Sequence, residues 1–147
     1  MENPIKILKI REGAVLPRRA TPGSAGMDLC ACIGAPVTLE PGGLTTIPTG
    51  IAISLPSSEL AAFLFGRSGL GVKHGITLSN SVGVVDSDYR GEICVGLCNI
   101  GNRPYTIQPG ERIAQMVVMP VRILPVEQTD SLDETERGEG GFGSTGR

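Results

Sequence analysis

The chain has 147 residues, a formal net charge of -2 and only 3% aromatic residues, with no tryptophan. That length suits one domain with its own core, while the charge offers no basic face for a nucleic-acid polymer and the few aromatics offer no stacking platform for single strands. No apolar run approaches a membrane span, and "MENPIKILKI" lacks a signal-peptide layout, so a soluble, cytoplasmic protein is expected.

In chain order, short Ile- and Val-rich segments alternate with Pro/Gly punctuation. They are "IKILKI", "MDLCACI", "LTTIPTGIAISL", "LAAFLF", "GITL", "VGVV", "EICVGLCNI" and "RIAQMVVMPV". Each is strand-length, and such spacing predicts an antiparallel sandwich or barrel. "LEPGGL" and "IQPGERI" place Pro41-Gly42 and Pro109-Gly110 directly before apolar strands, as tight turns do. The one stretch with helical character is "SSELAAFL", which reads equally as strand. Beyond Pro125 large apolar residues become rare, the middle turns acidic and the end glycine-rich. Residues 1–125 are therefore expected to form the β domain, and residues 126–147 a flexible arm.

The four cysteines are spaced C-x-C (Cys30, Cys32) and C-x3-C (Cys94, Cys98), and His74 is the only histidine. Neither spacing is that of a zinc site, so the cysteines are read as reduced, small apolar residues of strands.

Several polar groups stand where a simple β protein has no use for them. Asp28 interrupts an apolar strand, where aspartate is disfavoured, and Gln115 interrupts another. Arg67, Ser68 and Gly69 line up a guanidinium, a hydroxyl and an open backbone amide, the parts of an anion-binding turn. The match of "GRSGL" to a nucleophile elbow fails at Leu70. "VGVVDSDYRGEI" reads as a hairpin whose tip carries Asp86, Asp88, Tyr89 and Arg90. A carboxylate held at a strand end suits a general base acting on water, and the tyrosine exceeds what a turn needs. In the tail, Gly138, Gly140 and Gly143 satisfy G-x-G-x-x-G, but the dinucleotide fingerprint requires a following helix for which no chain remains. What is left there is mobile backbone with Arg137, Ser144 and Thr145 for phosphate oxygens and Phe142 as a flat face. No Walker loop is present.

Taken in order, "AGMDL", "GRSGLG", "GVVDSDYRGEI", "ERIAQMVV" and "RGEGGFGSTG" resemble the five motifs of the trimeric dUTP pyrophosphatases, over Ala25 to Gly146. The resemblance implies a jelly-roll-like, all-β barrel, assembled as a homotrimer with sites shared between subunits. It implies Mg²⁺-dependent hydrolysis of dUTP to dUMP and pyrophosphate, which limits uracil incorporation into DNA and supplies dUMP for thymidylate synthesis. By the same resemblance Asp86 is the general base, and Asp28 positions the magnesium–triphosphate unit through water. Arg67, Ser68, Gly69 and Gln115 line the phosphates. Asn80, Val84, Val85 and the backbone near Cys94 read the uracil edge, and Tyr89 packs on the deoxyribose where a 2′-hydroxyl would sit. Arg137, Gly143, Ser144 and Thr145 close on the phosphates while Phe142 covers the base. Gly66 stands where the second motif usually has proline. The competing readings are dCTP deaminase, which shares the barrel and would need a proton-shuttling glutamate such as Glu92 or Glu111, and a non-catalytic nucleotide-binding protein on the same fold.

Overall fold

The computed structural model describes residues 3–144 and 146. Its elements are β1 (Lys6–Lys9), β2 (Met27–Cys30), β3 (Val37–Leu39), β4 (Leu44–Pro48), β5 (Ile51–Ser54), β6 (Leu60–Phe65), α1 (Ser68–His74), β7 (Ile76–Leu78), β8 (Gly83–Val85), β9 (Cys94–Asn99), β10 (Tyr105–Ile107) and β11 (Arg112–Pro120). Every pairing is antiparallel. One sheet has the order β2-β11-β6-β8, a second β4-β9-β7, and two ribbons pair β1 with β5 and β10 with β3. Among the described residues no helix is long and apolar enough to cross a membrane.

The sheets share one core, since Leu29, Leu39, Ile47, Ile51, Ile76, Val95, Leu97, Ile107, Ile113 and Met116 are all essentially inaccessible. Strand alternation delivers these side chains inward while their neighbours stay wetter, as the burial pattern along β9 illustrates. Two polar side chains enter this interior, and both are satisfied. Asn99 donates to the carbonyls of Leu39 and Arg103 at 2.9 and 2.8 Å and accepts from the Gly101 amide at 2.9 Å, whereas the Thr49 hydroxyl donates to the Ile93 carbonyl. No buried side-chain nitrogen or oxygen among the described residues lacks a partner, as a well-specified interior requires.

Both Pro-Gly turns form as the sequence predicts. Gly42 and Gly110 each adopt φ of 77° at the third turn position, after proline at the second. The closing bonds run from the Gly43 amide to the Glu40 carbonyl (2.8 Å) and from the Glu111 amide to the Gln108 carbonyl (3.1 Å). That is type II geometry, which demands a positive φ there.

Of the two readings left open for "SSELAAFL" the strand forms, as β6, because its apolar residues fill the slot between β11 and β8. The structure departs from the sequence reading in two other places. First, a helix forms at Ser68–His74, where a polar turn was expected. Arg67 occupies the N-cap without a side-chain bond, Lys73 and His74 sit in the last turn against the negative end of the helix dipole, and Gly75 ends it at φ 69°. Second, the "VGVVDSDYRGEI" stretch is not a paired hairpin. β8 pairs with β6 and β9 with β4 and β7, so residues 86–93 cross from one sheet to the other. The two strands splay, and the gap between them becomes a pocket.

After β11 the chain carries no strand or helix among the described residues and is exposed almost throughout. The Val121 amide still bonds the Glu59 carbonyl at 2.8 Å, which marks where the arm leaves the sheet.

Tyr105 ties β10 to the turn before β11, its hydroxyl donating to the Glu111 carboxylate. Burial first, then the Glu111 bond and charge, push its pKa up to about 12. The neutral phenol's contribution to stability is complete below the ordinary tyrosine value of about 10 and is lost as pH rises through the folded value. Since the chain has two tyrosines, Tyr89→Phe leaves Tyr105 alone. Its absorbance titration is expected to have a midpoint near 12; one near the ordinary value would mean that the Glu111 bond does not persist in solution.

Candidate active site

The first cluster is built on β11. Gln115 lies directly opposite Asp28 on β2 and Phe65 on β6, so these three side chains share one row on one face of the sheet. Two residues past Phe65, Arg67 reaches back, and its Nε donates to Asp28 Oδ1 at 2.9 Å. Arg112, on the bulged start of β11, approaches Asp28 Oδ2 at 3.3 Å. Gln115 donates from Nε2 to the Gly66 carbonyl at 3.0 Å and so holds the turn into α1. Gly26 makes room for it, since a Cβ there would lie 2.4 Å from Gln115 Oε1. Ser68 and Gly69 open α1 beside Arg67, both exposed. Two guanidiniums on one carboxylate leave this patch net positive, which suits phosphate oxygens.

The second cluster is the gap between the splayed strands, a pocket of about 290 Å³. Asn80, Gly83, Val84, Val85, Asp86, Tyr89 and Cys94 line it, together with Glu92, Ile93 and Gly96. Val85 points to the core while Val84 is largely exposed, the alternation of a strand. Asp86 begins the crossing loop. Among the described residues its carboxylate accepts no hydrogen bond, although its carbonyl receives the Tyr89 amide at 3.2 Å. Arg90 folds back over the loop, donating to the carbonyls of Ser87 (2.8 Å) and Tyr89 (3.1 Å). The Tyr89 hydroxyl donates to the Glu92 carbonyl at 3.0 Å.

Glu92, the other carboxylate of the pocket, is fully engaged. Arg11 clamps it through Nε (2.6 Å) and Nη2 (2.9 Å), and the Cys94 thiol approaches Oε1 at 3.6 Å. The Arg11 bond holds the Glu92 carboxyl below the usual carboxylate range against partial desolvation, with the Cys94 thiol and the Gly50 amide helping. Cys94 shifts the other way, since the partial desolvation of its sulfur against the pocket wall and then Glu92 push its thiol up, although the residue as a whole is exposed. Cys94 is exposed at the pocket rim, so the reading of all four cysteines as packed small residues fails there, though all four are free thiols.

The two clusters do not meet within one chain. Val85 pairs with Ala62, which puts Asp86 level with Ala61, four residues from the row of Phe65, Gln115 and Asp28. At strand spacing that is about 13 Å along the sheet, and the three strand gaps from β8 to β2 add about 14 Å across it, for a separation near 20 Å. The tail joins neither group. Arg137 donates to the Gly140 carbonyl within its own turn (2.7 Å), the Ser144 amide bonds the Gly141 carbonyl (3.0 Å), and Phe142 is wholly exposed beside Gly143. Thr145 lies outside the described residues.

Sequence reasoning missed Arg11, Arg112 and Gly96, and it weighed Glu92 only as a proton shuttle. Arg11 is 81 residues from Glu92, and nothing local in "KIREG" signals that contact. Arg112 adjoins Gln115 in the sequence and could have been found there.

Splayed strands, a free carboxylate at a small pocket and a phosphate-suited arginine cluster place the protein among nucleotide hydrolases on a jelly-roll-like β fold. Known proteins narrow this further. The dUTPase family model matches residues 12–146. The deoxyuridine 5′-triphosphate nucleotidohydrolase of Aeromonas hydrophila is 54% identical over 145 residues, spanning 97% of this chain and 95% of the relative. That of Hahella chejuensis is 56% identical over 144 residues, again spanning 97% and 95%. A solved dUTPase of Staphylococcus bacteriophage 80alpha, a G164S mutant with dUpNHpp, superposes with a TM-score of 0.89 at 26% identity, covering 99% of each chain. The chain belongs to the dUTPase family.

Gly91 supplies a test of the pocket wall. A Cβ there would lie 2.4 Å from the Tyr89 hydroxyl and 2.6 Å from Cζ, so Gly91→Ala is expected to drive the Tyr89 ring off the Glu92 carbonyl. The ring resonances of Tyr89 should move while those of Tyr105 stay; an unchanged Tyr89 spectrum would show that the backbone yields instead.

Proposed function

We propose that the protein hydrolyses dUTP to dUMP and pyrophosphate, with Asp86 as the general base. The observation that carries this is the carboxylate of Asp86, unpaired among the described residues, beside a pocket of nucleoside scale. Asp86 takes a proton from a water whose oxygen attacks the α-phosphorus. The new bond joins that oxygen to phosphorus, the bond to the bridging oxygen breaks, and pyrophosphate leaves with the electron pair. Asn80 and the backbone of Val84, Val85 and Cys94 face the uracil edge, with Tyr89 against the deoxyribose. Arg67, Ser68, Gly69 and Gln115 take the phosphates. The product dUMP feeds thymidylate synthesis, and removing dUTP keeps uracil out of DNA.

A separation near 20 Å between Asp86 and Asp28 is too long for one nucleotide to bring its attacking water, within about 3 Å of the base, and its phosphates to the same chain. The site is therefore completed between subunits, and a homotrimer supplies the second cluster from a neighbour. Residues 1–125 are the catalytic body and residues 126–147 an arm, whose Arg137, Gly143, Ser144 and Thr145 reach phosphates and whose Phe142 covers a base. Its described hydrogen bonds are internal and Phe142 is bare, as suits a segment awaiting a ligand.

Mg²⁺ fits this chain as a companion of the triphosphate. Among the described residues no group of three or more metal-ligating side chains exists, and both oxygens of Asp28 face arginines, so a cage of protein ligands is absent there. Magnesium is commonly held by one or two carboxylates plus substrate phosphates and waters, and Asp28 would act through such a water. When bound, the ion neutralises phosphate charge; Arg67, Arg112 and Arg137 supply the chain's own share.

A deaminase reading finds neither of its two candidate glutamates free, since Glu92 is clamped by Arg11 and Glu111 receives the Tyr105 hydroxyl and the Gln108 amide. Incubation with Mg²⁺ and dUTP, dCTP, dTTP or UTP is expected to release pyrophosphate from dUTP preferentially. Asp86→Asn should lower kcat by about 10³-fold or more while nucleotide binding persists. Ammonia from dCTP would refute the proposal, and near-parental turnover by Asp86→Asn would place the base elsewhere.

Removing residues 137–147 is expected to leave the thermal transition within about 3 °C of the parent and to cut dUTP turnover more than about tenfold. Loss of the cooperative transition would make the arm part of the fold.

A further inference from the structure

We propose that the Arg11–Glu92 ion pair is a positioning device for the nucleotide pocket, fixing the wall that Tyr89 forms and with it the selection of the sugar. The inference rests on the reading of that pocket as the dUTP site and adds two residues to which the resemblance assigns no role.

The chain of contacts is short. Arg11 lies just beyond β1, in a turn closed by the Ala14 amide on the Arg11 carbonyl at 3.3 Å, and Ile10 is tied to the Gly50 carbonyl at 2.8 Å. Its guanidinium meets Glu92 as a two-pronged fork, Nε on Oε2 and Nη2 on Oε1, a geometry that fixes direction as well as distance. The same residue, Glu92, receives the Tyr89 hydroxyl on its backbone carbonyl. Holding the side chain of Glu92 therefore holds the peptide group on which the tyrosine rests. On the other side Ile93 is anchored to β5, its amide donating to the Ile51 carbonyl at 2.8 Å, while its own carbonyl receives the Thr49 amide and hydroxyl. The loop between Asp86 and Glu92 has no such sheet partner. Its described restraints are internal, from Tyr89 and Arg90, apart from those on Glu92, where the fork of Arg11 is joined by the weaker contacts of the Cys94 thiol and the Gly50 amide.

Gly50 shows how closely this arrangement is fitted. It has φ of 72°, and a Cβ there would come within 2.8 Å of Ala14 Cβ and Cys32 Sγ and 3.2 Å of Arg11 Cβ. The turn bearing Arg11 can approach Glu92 only because that position is bare. The Arg11 end of the pair is 54% exposed against 14% for Glu92, and water at the guanidinium screens the attraction, so the pair's contribution to folding is modest. Geometry at the pocket is what the fork supplies.

Arg11→Gln and Glu92→Gln test the idea in the full chain, with pyrophosphate release from dUTP by the parent established first; absence of that activity would count against the function and not against the pair. Each variant is expected to raise KM for dUTP about fivefold to tenfold with kcat within about twofold, and to narrow the preference for dUTP over UTP by a similar factor. The double variant should cost no more than either single one, because both break one interaction, and Arg11→Lys should fall between parent and Arg11→Gln. Ring resonances of Tyr89, read without nucleotide, should broaden or average in Arg11→Gln whatever the substrate proves to be. Folded variants with parental KM, parental dUTP/UTP preference and an unchanged Tyr89 spectrum would overturn the proposal. A lowered melting temperature with those three readouts intact would do the same, since it would reduce the pair to a structural brace.

Discussion

Strand β11 is hydrogen-bonded along both edges, to β2 on one side and β6 on the other, and this double pairing sets the position of both functional clusters. A residue on a central strand cannot slip by one position without turning its whole apolar set to the wrong face. Ile113, Ala114 and Met116 are buried to 1% exposure or less, so the register of β11 is held by the core. Gln115 is then carried to the level of Asp28 and Phe65 with no freedom of its own. The arginine cluster at one end of the sheet follows from that row.

The same register reaches the pocket through β6. Because β6 also pairs β8, the level at which Asp86 leaves the sheet is determined by which residues of β6 face β11. The core thus separates the two clusters as firmly as it builds each one. That separation is the feature on which the proposed sharing of the site between subunits rests. The described residues after β11 pack on neither cluster and are exposed almost throughout.

Across the two clusters and the turn before β11, carboxylates are sorted by whether they are already satisfied. Glu92, Glu111 and Asp28 each meet one or more donors, and those bonds fix neighbouring elements. Asp86 has none among the described residues. A carboxylate without a partner costs little when exposed, and it is the only kind free to accept a proton from water. What distinguishes these carboxylates is therefore their neighbours and not their residue type.

Much of this was legible in the residues. Alternating apolar segments and Pro-Gly turns sufficed for an all-β fold, because periodicity and turn chemistry are local properties, and the order of the motifs around Asp28, Arg67, Asp86 and Gln115 carried the resemblance to the dUTPase family. The helix at Ser68–His74 was not legible, since its glycines give weak propensity and its end depends on Gly75 lying against Gly101. The splay of β8 from β9 was not legible either, because each strand's partner is chosen by long-range packing. Nor could any pattern in "KIREG" reveal that Arg11 closes on Glu92 across 81 residues. Which chemical groups the protein carries, and which strands bear them, can be read along the chain. Which of those groups meet, and how far apart the two clusters are held, came from the fold, because those outcomes depend on strand register and contacts between residues remote in the chain.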